Sequence, residues 1–246
     1  MKPADYDSEM AGGAQGVPRG LPVYSAEASV RAGFIRKVYG ILGVQMALTV
    51  TMGAAFMLHA GVRGFVLTHG GMLTTASIMP FPFLLGLFCY KDRHPLNLGL
   101  LAGFTVAMGY TVGVICAAYY QSGYGNVVLE ALALTGSVFV GLSAYVHVTK
   151  KDFSFLGAGL FACLWILIIW SLLGSFMGFG EGGRMVFALV GALVFVGYIL
   201  YDTSMMLHHM GPDDYVLAAV TLYLDIVNLF LYLLEILRML QGGNNN

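Results

Sequence analysis

Charge is scarce in this sequence. Lys, Arg, Asp and Glu make up only 10% of the 246 residues, against about 25% in an ordinary soluble domain. So few ionic groups cannot wet the whole surface of a soluble fold. A net charge of −1 removes the basic stripe that nucleic-acid binding needs, so no nucleic-acid partner is expected. Cysteine is also sparse. Cys89, Cys116 and Cys163 all fall inside apolar runs, lack metal-ligand spacing and cannot form a disulfide framework; they read as small buried hydrophobes. Catalytic signatures are missing: there is no GxSxG, no HExxH, no P-loop and no Rossmann fingerprint, which needs its glycines between a strand and a helix. Tyr201-Asp202 supplies the YD dipeptide of an intramembrane aspartyl protease, but the GxGD and PAL motifs of those enzymes do not occur. The expectation is a protein without enzymatic activity or bound cofactor.

What the chain has in excess is apolar. Hydrophobic residues make up 58% and mean hydropathy is +0.78, which indicates an all-α integral membrane protein in contact with the lipid bilayer. Residues 1–33 are polar, contain no apolar core and read as a flexible cytoplasmic tail. Seven spans are expected within a 34–240 membrane domain: Phe34–Leu58, Gly71–Tyr90, Leu96–Tyr119, Val127–Val148, Phe153–Ser175, Met185–Leu207 and Val216–Leu240. Residues 241–246 form a short polar end. Pro80 and Pro82 interrupt the second span, and proline inside a helix removes ladder hydrogen bonds, so a kink is expected there. Small residues crowd the third span, GLLAGFTVAMGYTVG, and the sixth, GALVFVG; such residues let membrane helices approach closely.

Lys and Arg orient the bundle. With the N-terminus cytoplasmic, one side holds Lys2, Arg19, Arg31, Arg36, Lys37, Lys91, Arg93, Lys150 and Lys151, and the other only Arg63, Arg184 and Arg238. That bias is the positive-inside pattern, and it puts the HHMGPDD turn on the cytoplasmic side. His208 and His209 in this turn are adjacent, do not share a helix face and make a poor metal pair.

The sixth and seventh spans carry the chemistry. Each holds a carboxylate in an apolar run: Asp202 in VGYILYDTSMM and Asp225 in LYLDIVNLFLYLLEIL. A charge near the bilayer centre costs roughly 2.5–3.5 kcal/mol on insertion scales, so two of them call for a function or a mutual partner. The turn centres near Gly211, and an antiparallel hairpin brings the two aspartates to nearly one depth. Tyr198 and Tyr201 flank the first; Asn228, three residues after Asp225, shares its face. A pair of this kind shares a proton and titrates as a unit. It can act as a structural clamp, or as a pH sensor and ion gate that presents oxygen ligands to a hard cation such as Ca²⁺. Glu130, near the outer start of the fourth span, is either an interfacial carboxylate or part of a pore mouth. Glu235 and Arg238, three apart, read as a local pair. Lys91 and Arg93 are topology signals whose long side chains can also snorkel toward the aspartates.

GYILYDTSMM, followed by DDYVLAAVTLYLDIVNLFLYLLEIL, strongly resembles the Bax-inhibitor and Lifeguard family, and the resemblance extends to VVLEALALTGSVFVGL and TKKDFSFLGAGL. It covers nearly everything after residue 30. It implies a seven-transmembrane-helix bundle with the last helix central, a pH-sensitive Ca²⁺ leak, and suppression of cell death. In a eukaryote it implies the endoplasmic reticulum or Golgi membrane. Asp202 and Asp225 match the family's paired aspartates. The arginine that some members place near that pair falls at about Lys91, so the latch passes to Lys91 or to Arg93. Glu130 matches an acidic position of the fourth helix. Two function classes stay open: a calcium leak channel gated by the aspartates, and a non-conducting regulator acting through cell-death regulatory membrane proteins.

The charge bias makes a topological prediction. A reporter placed in the TKKD loop is expected on the cytoplasmic side and one in the MGFGEGGR loop on the opposite side. Both reporters on one side would overturn the arrangement, because a single span separates them.

Overall fold

A computed structural model describes residues 28–68, 71–90, 93 and 95–243. Helices account for nearly all of them: α1 (Ala28–Leu58), α2 (Ala60–Thr68), α3 (Gly71–Ile78), α4 (Pro80–Cys89), α5 (Leu96–Gln121), α6 (Gly125–Thr149), α7 (Gly157–Met177), α8 (Glu181–His208) and α9 (Tyr215–Gly243). A short 3₁₀ turn, Ser154–Leu156, leads into α7. Six of these, α1 and α5 to α9, are long and apolar enough to cross a membrane. The protein is a multi-pass membrane protein.

Several bounds differ from the sequence expectation. The first helix begins at Ala28 rather than Phe34, so residues 28–33 of the expected tail are helical. The last runs on to Gly243, past Leu240. The expected second span is two helices with a break at Met79. Pro80 and Pro82 lack the N–H groups that would bond four residues back, which is why the ladder stops there. The segment after Leu58 also carries a helix of its own, α2, where no element was expected.

Local chemistry sets the remaining ends. α6 stops at Lys150, whose backbone is left-handed (φ 51°) and whose N–H closes on Val146 O. α7 stops at Gly178 (φ 73°), where glycine adopts positive φ without steric cost. Between α8 and α9 the Asp214 side chain accepts the Gly211 N–H at 3.0 Å, and the Asp214 carbonyl accepts the Ala218 N–H at 2.9 Å to start α9.

Helix directions follow from which residues meet. Gln45 bonds Thr105, Met52 lies over Gly109 and Phe56 over Gly113, so α1 and α5 run parallel. Phe83 lies over Gly103 and Leu100 over Gly86, so α4 runs antiparallel to α5. Tyr232 covers Gly191, and Asp202 lies beside Thr221 and Asp225, so α8 and α9 form the expected antiparallel hairpin. The glycines of the small-residue runs thus receive large side chains from the facing helix, as close packing in a membrane requires. α9 packs on α1, α5, α6 and α8. Its most apolar stretch is 61% buried, against 11% for α7. α7 leans on α8 and shows large apolar side chains such as Phe176 to the outside.

The α8–α9 seam gives a stability test. A Cβ at Gly191 would stand 2.4 Å from the Tyr232 ring. That ring is held by Phe195 (centroids 5.8 Å) and Phe187 (5.7 Å) and has little room to move. Gly191→Ala is expected to destabilise the protein by about 1–3 kcal/mol, seen as a lower midpoint of unfolding in mixed detergent. Gly40→Ala, where nothing lies within 4 Å, should leave the midpoint in place. Equal midpoints for the two variants would mean that the seam repacks freely.

Candidate functional site

Two carboxyls meet where α8 and α9 face each other. Asp202 lies within hydrogen-bonding reach of both Asp225 and Thr221. Two carboxyls this close can hydrogen-bond only when one of them carries a proton. Asp225 is 4% exposed, and its Oδ2 has no partner among the described residues. Among the described residues no cation forms an ion pair with either aspartate.

The flanking residues divide. Tyr198 is near both carboxyls and packs on Phe195 and Tyr201, with ring centroids 5.7 and 6.4 Å away. Tyr201 turns toward α7, over Gly157. Asn228 shares the Asp225 face in sequence, but its Nδ2 donates to Leu224 O of its own helix at 2.8 Å. Glu130 is exposed on α6, away from the aspartates. Arg93 is exposed with its guanidinium over the Tyr90 ring, 5.5 Å from the centroid. Lys91 lies outside the described residues.

Other polar residues join α9 to the rest of the bundle, and sequence reasoning did not find them. Tyr223, fully buried, shares a 2.7 Å hydrogen bond with Thr49 of α1. Gln45 Nε2, one turn earlier on α1, donates to Thr105 of α5 at 3.1 Å. At the other end of α9, Glu235 forms the expected local pair with Arg238 at 2.6 Å and also accepts the Tyr119 hydroxyl of α5 at 2.6 Å. Thr221 was within reach of sequence reasoning, since it precedes Asp225 by four residues and shares its face. The α1 and α5 partners carry no such local signal.

A second cluster sits one turn from the aspartates, at the end of α8. Asp152, in the loop after α6, accepts the Ser154 N–H (2.8 Å) and the Ser204 hydroxyl (3.3 Å), and lies 2.9 Å from His209 Nε2. The Ser204 hydroxyl in turn accepts the Phe153 N–H at 2.8 Å. Ser204 is fully buried, two residues after Asp202 on α8, so this clasp fixes the C-terminal end of α8 against the loop. Among the described residues no three His, Cys, Asp or Glu side chains group as a metal site.

These features fall within a single family pattern. A family model described as "Inhibitor of apoptosis-promoting Bax1" matches residues 31–242. The chain belongs to the Bax-inhibitor family. Both aspartates, the clasp and the α9 contacts lie inside the matched region. Its relatives include a "BI1-like protein" of Arabidopsis thaliana, 44% identical over 98% of this chain and 92% of that one. A "Golgi anti-apoptotic protein" of Vaccinia virus (strain Lister) is 41% identical over 89% of this chain and 91% of its own. "Protein lifeguard 4" of Mus musculus is 40% identical over 89% and 90%. The likeness therefore runs through the whole bundle.

The clasp of this Bax-inhibitor family member has a defined pH sense. The Ser154 N–H and, after it, the His209 contact hold the Asp152 carboxyl well below the usual carboxylate range. A carboxyl lowered on folding stabilises the folded loop above its unfolded pKa, and that contribution is lost as pH falls through the folded value. The Phe153 and Ser154 amides are thus expected to stay protected from hydrogen exchange down to mildly acidic pH. Asp152→Ala should expose both while leaving amides in the middle of α9 unchanged. Unaltered protection in that variant would assign the loop's order to Phe153 packing instead.

Proposed function

We propose that this protein is a pH-sensitive, Ca²⁺-permeable leak channel of an intracellular membrane, gated by Asp202 and Asp225, and that it contributes to calcium homeostasis and restrains cell death. The observation that carries this reading is the carboxyl–carboxyl contact between α8 and α9, with Asp225 Oδ2 left unpartnered. With one proton the pair ties the two helices together. Without it, two negative charges oppose each other and the helices part. With two protons the oxygens lose their appeal for a hard cation. Ca²⁺ is cargo here, held in passing by two carboxylates rather than in a closed cage, and the protein performs no chemical conversion. The family description and the name of the viral relative support a role in cell-death control. The viral relative's name supports an endomembrane location such as the Golgi.

The architecture that goes with this reading is seven crossings with α9 at the centre. The parallel course of α1 and α5 supports a return crossing between them. α3 and α4 together extend over residues 71–89, about 28 Å at 1.5 Å per residue, close to the roughly 30 Å of hydrocarbon in a bilayer. Packing of α9 on four other long helices supports its central place. The second reading, a non-conducting regulator that works through a partner protein, has its support in α7, whose apolar outer face is free for another membrane helix.

Purified protein in liposomes with an internal Ca²⁺ dye separates the two. Flux is expected to vary with pH in wild type. Asp202→Asn and Asp225→Asn should each flatten the profile, and the double variant should add little, because either change already breaks the unit. Asn keeps the volume and the hydrogen bonding. A wild-type profile in both single variants would reduce the pair to a structural clamp, and no flux at any pH would favour the regulator.

A further inference from the structure

α1 and α6 both lean on α5 and α9, and they meet each other where Tyr39 packs on the Phe139 and His147 rings, with centroids 6.4 and 5.6 Å away. Between them runs a cleft of about 630 Å³, floored by Ile226, Val227 and Phe230 of α9. That volume falls in the roughly 300–1,000 Å³ range of small-molecule sites. The cleft follows α6 from Gly125 to Val140, about 22 Å at 1.5 Å per residue, so it suits an elongated occupant. Its threonine hydroxyls are already engaged: Thr49 with Tyr223 and Gln45 O, and Thr135 with Ala131 O. The Tyr39 hydroxyl, on the same lining, has no partner among the described residues. The rest of the lining is almost wholly apolar. The glycines here also differ from those at helix contacts. A Cβ on Gly43 or Gly53 of α1, or on Gly136 of α6, would meet nothing within 4 Å. These positions therefore leave room in the cleft rather than let helices close on it. Space of this kind between apolar walls forfeits dispersion contacts unless something fills it.

The outer end of the cleft carries charge. Arg63 of α2 stacks over the ring of Tyr120, 4.9 Å from its centroid, and donates to Gln121 Oε1 at 3.0 Å and to the Met57 carbonyl. Tyr120 and Met57 both line the cleft. Among the described residues Arg63 pairs with no carboxylate, and its Nη2 makes no hydrogen bond, so a guanidinium with donors to spare stands at the mouth. The start of α6, Gly125 and Asn126, borders the same mouth without a side-chain cap. A guanidinium recognises phosphate in a forked, charge-assisted geometry.

We propose that the cleft between α1 and α6 binds an anionic glycerophospholipid, with one acyl chain along the groove and the phosphate on Arg63. Both walls are membrane-spanning helices, so the phase they open into is lipid. The apolar length fits a chain, and the unneutralised cation at one end fits its headgroup. This site is separate from the aspartate pair, and its occupancy is read directly as binding.

Native mass spectrometry of the full chain, released from detergent with phosphatidylglycerol, phosphatidylcholine or oleic acid, tests it. Wild type should retain one phosphatidylglycerol about tenfold better than phosphatidylcholine, and better than oleic acid. Arg63→Gln should bring phosphatidylglycerol down to the phosphatidylcholine level, and Arg63→Lys should keep part of the preference. Gly136→Leu, from one wall, and Gly43→Leu, from the other, should each expel the retained lipid. Both side chains enter open space, and an unchanged unfolding midpoint identifies the variants that fold. Equal retention of the two phospholipids by wild type, or undiminished phosphatidylglycerol in Arg63→Gln, would overturn the headgroup assignment. Undiminished lipid in a folded cleft-filling variant would overturn the site. A fatty acid retained in preference to both phospholipids would give the cleft to another occupant.

Discussion

Hydrocarbon offers no hydrogen bonds, so each polar atom carried into it must bring a partner. α9 meets this demand three times, with a different helix each time. Tyr223 reaches Thr49 on α1, Asp225 reaches Asp202 on α8, and Glu235 reaches Tyr119 on α5. Apolar packing between membrane helices says little about which face meets which, because lipid tails are as good a neighbour as leucine. The three polar contacts are specific in a way that packing is not: each is satisfied at one rotation and one depth of α9. They set the helix's register against its neighbours, and glycine-to-ring packing such as Gly191 under Tyr232 then closes the seams.

Of the three, only the carboxyl pair combines a polar contact with a variable charge. Tyr223 and Thr49 are neutral, and Glu235 is matched by Arg238 three residues away. Asp202 and Asp225 are two acidic groups side by side, and among the described residues neither is matched by a cation. The clasp of Asp152, Ser204 and His209 gathers at the C-terminal end of α8, so the helix that carries Asp202 is anchored there.

The aspartate hairpin was legible because its evidence is local. Two carboxylates at comparable distances from one turn can be paired by counting residues, and Glu235 with Arg238 by their spacing of three. Thr49 and Tyr223 are 174 residues apart and Gln45 and Thr105 are 60 apart. Threonine, tyrosine and glutamine in apolar runs look alike whether they face lipid, backbone or a partner. Pro80 and Pro82 announced a disturbance in the second span, but whether it kinks or divides the helix depends on packing against α5, which the sequence does not display. Asp152 and His209 stood in two loops that read as topology markers, and only the fold brings the loops together. Asn228 shows the opposite failure: its spacing from Asp225 was right, yet its amide is taken by its own backbone.

The polar joints of α9 also bear on how the chain is made. α9 follows α1, α5 and α8 in order of synthesis, so Thr49, Tyr119 and Asp202 enter the bilayer before their partners exist. During that interval the nascent bundle holds a carboxyl and hydroxyls at membrane depth with the central contacts still open. Such a chain is an incomplete assembly in the cell's own terms, exposing the polar features by which unassembled membrane segments differ from finished ones. Tyr223, Asp225 and Glu235 lie on one helix, so the arrival of α9 supplies all three partners together.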